Sequence, residues 1–335
     1  MPGSDSAPDQ PSLVYVVLAH KLPGQFARLA TRLHHPADLV LAHIDAKSDQ
    51  EPFEKALGDA GMIGPGVELS ARRVPVHWGG FGEIDAGLAA IRRALTVPSW
   101  SHVVLLSGQD YPIKARDQIR SFITGRPDTS FLFSSAGHDP WPADERQGNQ
   151  TWYWDGDLRR LKLRYYRVGR YPVPLPGRWT WGIPRAGQLP AGLRPRQGSA
   201  WWALHRAAAQ WVLDYGDSHP EIRQFFSRVL IPAENYFQML FDASPYRDQL
   251  IQDDLHFQAW DRWHPRVLDQ ADLPALLASP KLFARKFDSD HDRAVLDELD
   301  RRHYRTPILL PEPVRASPPK ARHGRARRSP TRAGR

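Results

Sequence analysis

Hydrophobic positions in the first third of the chain change spacing in a regular order. Leu13 to Ala19 is a short apolar run of the kind that fills a buried strand, and Phe26, Leu29 and Leu33 then recur at helical spacing. A second run, Asp38 to Ile44, ends at Asp45, and is followed by a stretch around Glu51 to Leu57 and a short piece at Val74-Pro75-Val76. Trp78-Gly79-Gly80 leads into a predicted helix whose Ile84, Leu88, Ile91 and Leu95 share one face. His102 to Leu106 again reads as a buried strand, closing on Ser107-Gly108-Gln109-Asp110-Tyr111-Pro112. This alternation predicts an α/β fold with a mostly parallel sheet flanked by helices. Ligands of such sheets bind beyond the carboxyl ends of the strands, where Asp45 and Asp110 fall.

From Gly137 to Gln197 the periodicity dissolves into Trp, Tyr, Arg, Pro and Gly, including Trp152-Tyr153-Trp154 and Arg164-Tyr165-Tyr166-Arg167. A segment this long and aromatic reads as an ordered functional loop. Regular structure resumes at Gly198-Ser199-Ala200-Trp201-Trp202, with a helix through about Leu213 and a charged helix near Asp292 to Arg301. One domain over 13–305 is expected, between a disordered 1–12 and a basic, Pro-rich disordered tail at 306–335.

Composition changes the picture in two places. The 335 residues, 41% hydrophobic with 12 Trp and 13 Phe, suit a globular domain that handles flat ligands such as sugars and bases. The net charge of +8 is a property of the tail: eight of the 45 basic residues lie between Arg315 and Arg335 without an acid, leaving 37 against 37 acids. Weak anionic contacts belong to that tail rather than to the body. The absence of cysteine excludes disulfides, thiolate metal sites and a cysteine nucleophile. No signal peptide and no membrane span are evident, so a cytoplasmic location is expected.

Two segments carry candidate chemistry. In Leu282 to Asp288 the adjacent cations Arg285 and Lys286 interrupt an apolar run and call for an anion; a diphosphate suits Arg's planar fork and Lys's point charge. In Leu230 to Phe237, Glu234 stands at the mouth of a predicted helix, backed by Tyr236 and Phe237, where a carboxylate can take a proton from an attacking hydroxyl. Pro then Glu also suits an ordinary helix start, and Arg285 or Lys286 could pair with a structural carboxylate. The triplets Asp155-Gly156-Asp157 and Asp288-Ser289-Asp290 read as solvated or helix-capping acids rather than metal ligands. Glycine-rich phosphate loops are absent, which argues against a dinucleotide enzyme or an NTPase.

The ordered set Val17 to Lys21, His43 to Ser48, Trp78-Gly79-Gly80, Leu105 to Pro112, Gly198 to Trp202, Pro232-Ala233-Glu234 and Leu282 to Asp288 resembles the core-2/I-branching glycosyltransferase family. That family includes β-1,6-N-acetylglucosaminyltransferases and peptide O-xylosyltransferases, and Pro-Ala-Glu with Phe-Ala-Arg-Lys-Phe looks closer to the xylosyltransferase branch. The resemblance implies a GT-A fold, a UDP-sugar donor, inversion at the anomeric carbon, and neither metal ion nor other cofactor. It implies Glu234 as general base, Arg285 and Lys286 on the donor diphosphate, Asp45 on the nucleoside and Trp78 in the donor site, with Arg266 a second basic contact. Asp110, Ser199 and Trp201 would line the substrate site. Relatives in the xylosyl branch carry an acid where this chain has Ala200, so the donor sugar, xylose or N-acetylglucosamine, stays open. The acceptor stays open among a glycan, a peptide and a lipid-linked glycan. The competing class is a non-catalytic sugar- or nucleotide-binding protein whose basic tail tethers nucleic acid.

Overall fold

A computed structural model describes residues 12–64, 66–136, 159–168, 171–172, 182–185, 189–190, 192–261 and 264–304. The segments read as disordered lie outside these residues, except that Ser12 opens the first strand; Trp152-Tyr153-Trp154 and Asp155-Gly156-Asp157 also lie outside.

The first half follows the predicted alternation: β1 (Ser12–Ala19), α1 (Pro23–Leu33), β2 (Leu39–Ile44), α2 (Glu51–Asp59), β3 (Val67–Leu69), α3 (Gly82–Leu95), β4 (Trp100–Ser107), β5 (Asp110–Pro112), α4 (Arg116–Thr124) and β6 (Ser130–Ser135). The short piece Val74-Pro75-Val76 forms no ladder, and β3 escapes the pattern because its Val-Glu-Leu is short and only half-buried and does not stand out as a hydrophobic run. The main sheet runs Leu250–Ile251, β6, Gln197–His205, β4, β1, β2, β3. Its right half is parallel, β4 to β1 to β2 to β3, while Gln197–His205 enters antiparallel between β4 and β6. The fold is therefore α/β with a mostly parallel sheet, as the periodicity indicated.

Alternate residues of β1 explain the two-layered core, because successive side chains of a strand point to opposite faces. Leu13, Tyr15 and Val17 join Phe26 and Leu29 of α1 on one face, while Val14 and Val16 join Ile84 and Ile91 of α3 and the helices after Gln197–His205 on the other. Within α3, Ile84 and Ile91 are fully buried and Leu88 packs against the same cluster, the face that the spacing predicted.

A second, three-stranded sheet sits at the carboxyl edge of the first. Phe283–Arg285 pairs antiparallel with β5 and parallel with His256–Gln258, placing Arg285 opposite Asp110 in the register. Among the described residues no helix is long and apolar enough to cross a membrane.

Candidate active site

The carboxyl ends of β1, β2 and β4 lead into loops held together by their own backbones. The Asp45 amide donates to the Ala19 carbonyl at 2.8 Å and the Gly108 amide to the Leu18 carbonyl at 2.9 Å. Gln25, buried in α1, then ties this floor to the cationic segment: its Nε2 donates to the carbonyls of Gly108 (2.9 Å) and Phe287 (3.2 Å), and its Oε1 accepts from the Ser289 amide at 2.7 Å. Gln25 carries no signal in the local pattern, since a glutamine on a helix reads as surface.

Two groups of charges meet over this floor. In the first, Asp110 is fully buried and accepts from the Ser107 amide (2.7 Å), the Ser107 hydroxyl (2.8 Å) and Arg285 Nε (3.1 Å), with His256 Nε2 at 3.4 Å from its other oxygen. Burial alone would push its carboxyl up, but Arg285, His256 and the Ser107 amide outweigh it and hold the carboxyl below the usual range. Asp110 thus anchors the site from beneath instead of lining it. Arg285 lies over the ring of Trp201, its guanidinium carbon 4.2 Å from the centroid, an arrangement in which cation and aromatic face attract. Trp201 is itself backed by His256, and the Ser199 hydroxyl accepts from the Trp201 amide at 3.3 Å, so the buried Ser199 supports the irregular stretch of strand before Trp202.

The second group surrounds Lys286, joined to Arg285 by a cis peptide. Burial, then Arg285 and Lys21, lower the Lys286 pKa from its ordinary value, with Asp288 acting the other way. Lys21 pairs with Asp288 at 2.6 Å. Asp45 accepts from the Lys47 and Val76 amides and pairs with the Lys47 ammonium, which hold its carboxyl low against the effect of burial. His20, its pKa lowered by burial and then by Lys21, also senses Lys47 and Lys286, so these cations crowd one place. Crowded like charges are costly unless an anion compensates them.

Glu234 ends a single 3-10 turn, Pro232–Glu234, and the α-helix proper starts at Tyr236. The expected helix mouth is therefore two structures: Asn235 breaks between them, and Ile231 before the turn has φ +52°. Tyr236 and Phe237 do not face the carboxylate's solvent side but fill the core. Glu234 Oε2 accepts from Arg160 Nη1 at 2.8 Å, and Arg160 is itself largely buried in the short helix Arg159–Lys162. Arg160 lies at the edge of the aperiodic aromatic segment, where no pattern distinguishes one arginine from another.

The loop with Trp78 adds the last part. Trp78 is 59% exposed. Gly79, at φ +62°, accepts from the Ile231 amide at 3.0 Å, and a Cβ there would stand 3.2 Å from Leu230 and Ile231 side-chain atoms. This stitch fastens the start of α3 to the turn that carries Glu234. Glu83, in the first turn of α3, senses Arg285, Glu234 and Asp110 together. Burial first, and then Glu234 and Asp110, push its carboxyl up to about 7, with Arg285 pulling the other way. Glu83 looks in sequence like an ordinary acid of a helix's first turn, which is why its spacing gave no warning.

Arg266, expected as a further donor contact, gives its guanidinium to Asp272 six residues away (Nη1 to Oδ2, 2.7 Å). Asp288 and Asp290 form a turn in which Asp288 accepts from the Asp290 amide, and it is Asp292 that accepts from the first amides of the helix Ala294–His303. Among the described residues no cluster of three or more His, Asp or Glu side chains could hold a metal ion. A separate cavity of about 860 Å³ opens at the other end of the sheet, lined by Ser12, Trp100, Asp128 and His205, away from all of these groups.

Comparison with known proteins gives this arrangement a context. Residues 13–274 match the family Core-2/I-Branching enzyme. Xylosyltransferase 2 of Homo sapiens is 26% identical over 313 residues, covering 86% of this chain and 33% of the relative. Xylosyltransferase 2 and xylosyltransferase 1 of Canis lupus familiaris are each 24% identical over 310 residues, covering 86% of this chain and 33% and 30% of theirs. The chain thus spans about a third of the length of the curated relatives it matches. With most of its length inside the matched region, the chain belongs to the Core-2/I-Branching enzyme family of glycosyltransferases.

Proposed function

We propose that the protein is an inverting glycosyltransferase that moves a sugar, xylose or N-acetylglucosamine, from a UDP-sugar to an acceptor hydroxyl without a metal ion, on a GT-A type framework. The observation that carries the reading is the meeting of Arg285, Lys21, Lys47 and Lys286 at the carboxyl ends of the parallel strands, beside a carboxylate already held in place by an arginine. In the proposed reaction the acceptor O–H gives its proton to Glu234 while the acceptor oxygen bonds to the anomeric carbon. The bond from that carbon to the diphosphate breaks, and UDP leaves with the electron pair, its charge met by Arg285 and Lys286. Arg160 orients the base, and Asp110 with Trp201 holds Arg285 ready, so positioning and preset charge supply most of the acceleration. Asp45 and Trp78 would receive the nucleoside and donor, while Arg266, committed to Asp272, contributes to the local frame. The names of the relatives favour xylose.

The test is binding and hydrolysis of UDP-xylose, UDP-N-acetylglucosamine, UDP-glucose and UDP-glucuronate in EDTA. One donor should be preferred, and Glu234→Gln should lower turnover by at least about two orders of magnitude while UDP binding is kept. Turnover unchanged in that variant would remove Glu234 as base, and activity that required added manganese would overturn the metal-free mechanism.

A further inference from the structure

A glutamine amide carries two N–H donors and one acceptor oxygen. Gln25, only 2% exposed, spends all of them on backbone: Nε2 donates to the Gly108 and Phe287 carbonyls, and Oε1 accepts from the Ser289 amide. The opposite orientation would set the side-chain oxygen against two carbonyls, so the amide fits one way only. Each of the segments joined here carries charge. Gln25 stands four residues after Lys21, in the helix that Pro23 opens. Gly108 lies in the loop between Ser107 and Asp110, pressed so closely on the end of β1 that a Cβ would stand 3.0 Å from Ala19 Cβ. Phe287 and Ser289 flank Asp288 and follow Arg285 and Lys286 directly.

A lysine ammonium ends a flexible four-carbon stem, so precision in placing it must come from the backbone that carries it. Around Lys286 that backbone is pinned at every step. The Lys286 carbonyl accepts from the Leu268 amide at 2.9 Å, and the Phe287 amide donates to the Gln109 carbonyl at 2.8 Å. Gln109 Nε2 gives the Phe287 carbonyl a second donor at 3.1 Å. Past Phe287, the bond from the Ser289 amide to Gln25 places Asp288, which holds the Lys21 ammonium at 2.6 Å. Lys21 is thus reached from Gln25 by two routes, back along the chain and through Ser289 and Asp288. At the other end of the segment Arg285 lies opposite Asp110 in the register and bonds to it, two residues beyond Gly108. Gln25 is therefore a side chain through which the carriers of Lys21, Arg285 and Lys286 are held to one another.

We propose that Gln25 is a positioning residue of the donor site: its amide clips the Gly108 loop to the segment after Lys286 and so sets the spacing of Lys21, Arg285 and Lys286 at which a diphosphate is held. This deepens the donor reading above and rests on it. The role needs a donor and an acceptor on one side chain, and volume alone does not supply it. Methionine fills the same space but leaves the Gly108 carbonyl and the Ser289 amide without this partner, and a buried backbone group left unpaired drives the chain to rearrange. Glutamate keeps the acceptor for Ser289. When ionised it also sets a carboxylate against two carbonyl oxygens; when protonated it donates to one of them again.

Calorimetric titration of wild type, Gln25→Met, Gln25→Glu and Lys286→Ala with UDP-xylose is the experiment, with uridine as the ligand that lacks a diphosphate. UDP-xylose is a diphosphate diester and keeps a constant charge from pH 6 to 8.5. Gln25→Met should bind uridine as wild type does and weaken UDP-xylose at least about tenfold, within the loss that a misplacement of about 1 Å causes. The affinity of Gln25→Glu for UDP-xylose should climb toward wild type as pH falls from 8.5 to 6, because its protonated form is the one that binds tightly. Wild-type affinity for UDP-xylose in Gln25→Met, or an equal loss for uridine and UDP-xylose, overturns the proposal and leaves the donor reading intact. A Gln25→Glu affinity in constant ratio to wild type across the pH range does the same. Failure of wild type to bind UDP-xylose, or undiminished binding by Lys286→Ala, removes the donor reading and this proposal with it. Where Gln25→Met does not fold, Gln25→Glu carries the test alone.

Discussion

Asp110 is a residue on which several separate contacts converge. It collects Ser107, His256 and Arg285 on one fully buried carboxylate. Removing one partner of a buried ion pair costs about 3–5 kcal/mol because the other charge is left uncompensated. Asp110→Asn is accordingly expected to lower the urea midpoint strongly and to weaken UDP binding through a misplaced Arg285. Stability within about 0.5 kcal/mol of wild type would show that Arg285 does not depend on it. At this scale the sequence disclosed chemistry but not partnership. Arg285 and Lys286 stood out because two cations in an apolar run need an anion, yet nothing in the local pattern says that Asp110 takes one of them and leaves Lys286 with the crowded ammonium groups. Glu83, Arg160 and Gln25 were invisible for the same reason: each is an unremarkable residue type at its position and gains its meaning from segments far along the chain.

At the scale of elements, the loop Trp78 to Gly82 and the turn Pro232–Glu234 behave as one piece. Gly79 sits in the left-handed region, which costs a residue with a Cβ about 1–2 kcal/mol, and it has no room toward Leu230 and Ile231. Gly79→Ala should therefore destabilise by about 1–2 kcal/mol and also depress turnover, since displacing Ile231 moves Glu234. A variant that lost stability but kept full turnover would separate the two. The strands and helices before Pro112 were legible because their apolar spacing is long and regular, β3 being too short to register. The turn of Glu234 reads in sequence as a helix start because Pro followed by Glu fits either structure, and the break at Asn235 lies next to a segment stitched to Gly79 from far along the chain.

At the scale of the whole molecule, burial of histidines sets the response to acid. His102, fully buried in β4 and opposite His205 in the register, has its pKa lowered to about 4 chiefly by burial, although the Thr129 carbonyl hydrogen-bonds it at 2.8 Å. The unfolded chain binds this proton from pH 6.5 downward and the folded one does not, so stability falls as pH drops from about 6.5 to 4. His102 alone accounts for on the order of 3 kcal/mol by pH 4. Glu83 opposes this trend between pH 7 and 4.5, being better protonated when folded. Urea midpoints measured from pH 7.5 to 4.5 should fall, and His102→Gln should flatten the fall; an unchanged slope would assign the acid sensitivity to other groups.

The register that sets Arg285 opposite Asp110 joins residues 175 apart in sequence. During synthesis the chain emerges from its amino end, so β5 leaves the ribosome long before its mate. Until then Asp110 is a carboxylate without its guanidinium, and the cations at 21 and 47 stand without 285 and 286. The nascent domain can assemble the parallel half of its large sheet, yet it lacks the two cations proposed above to meet a diphosphate. Under the proposed reading, donor binding would therefore arrive late in synthesis, with the release of Phe283–Arg285.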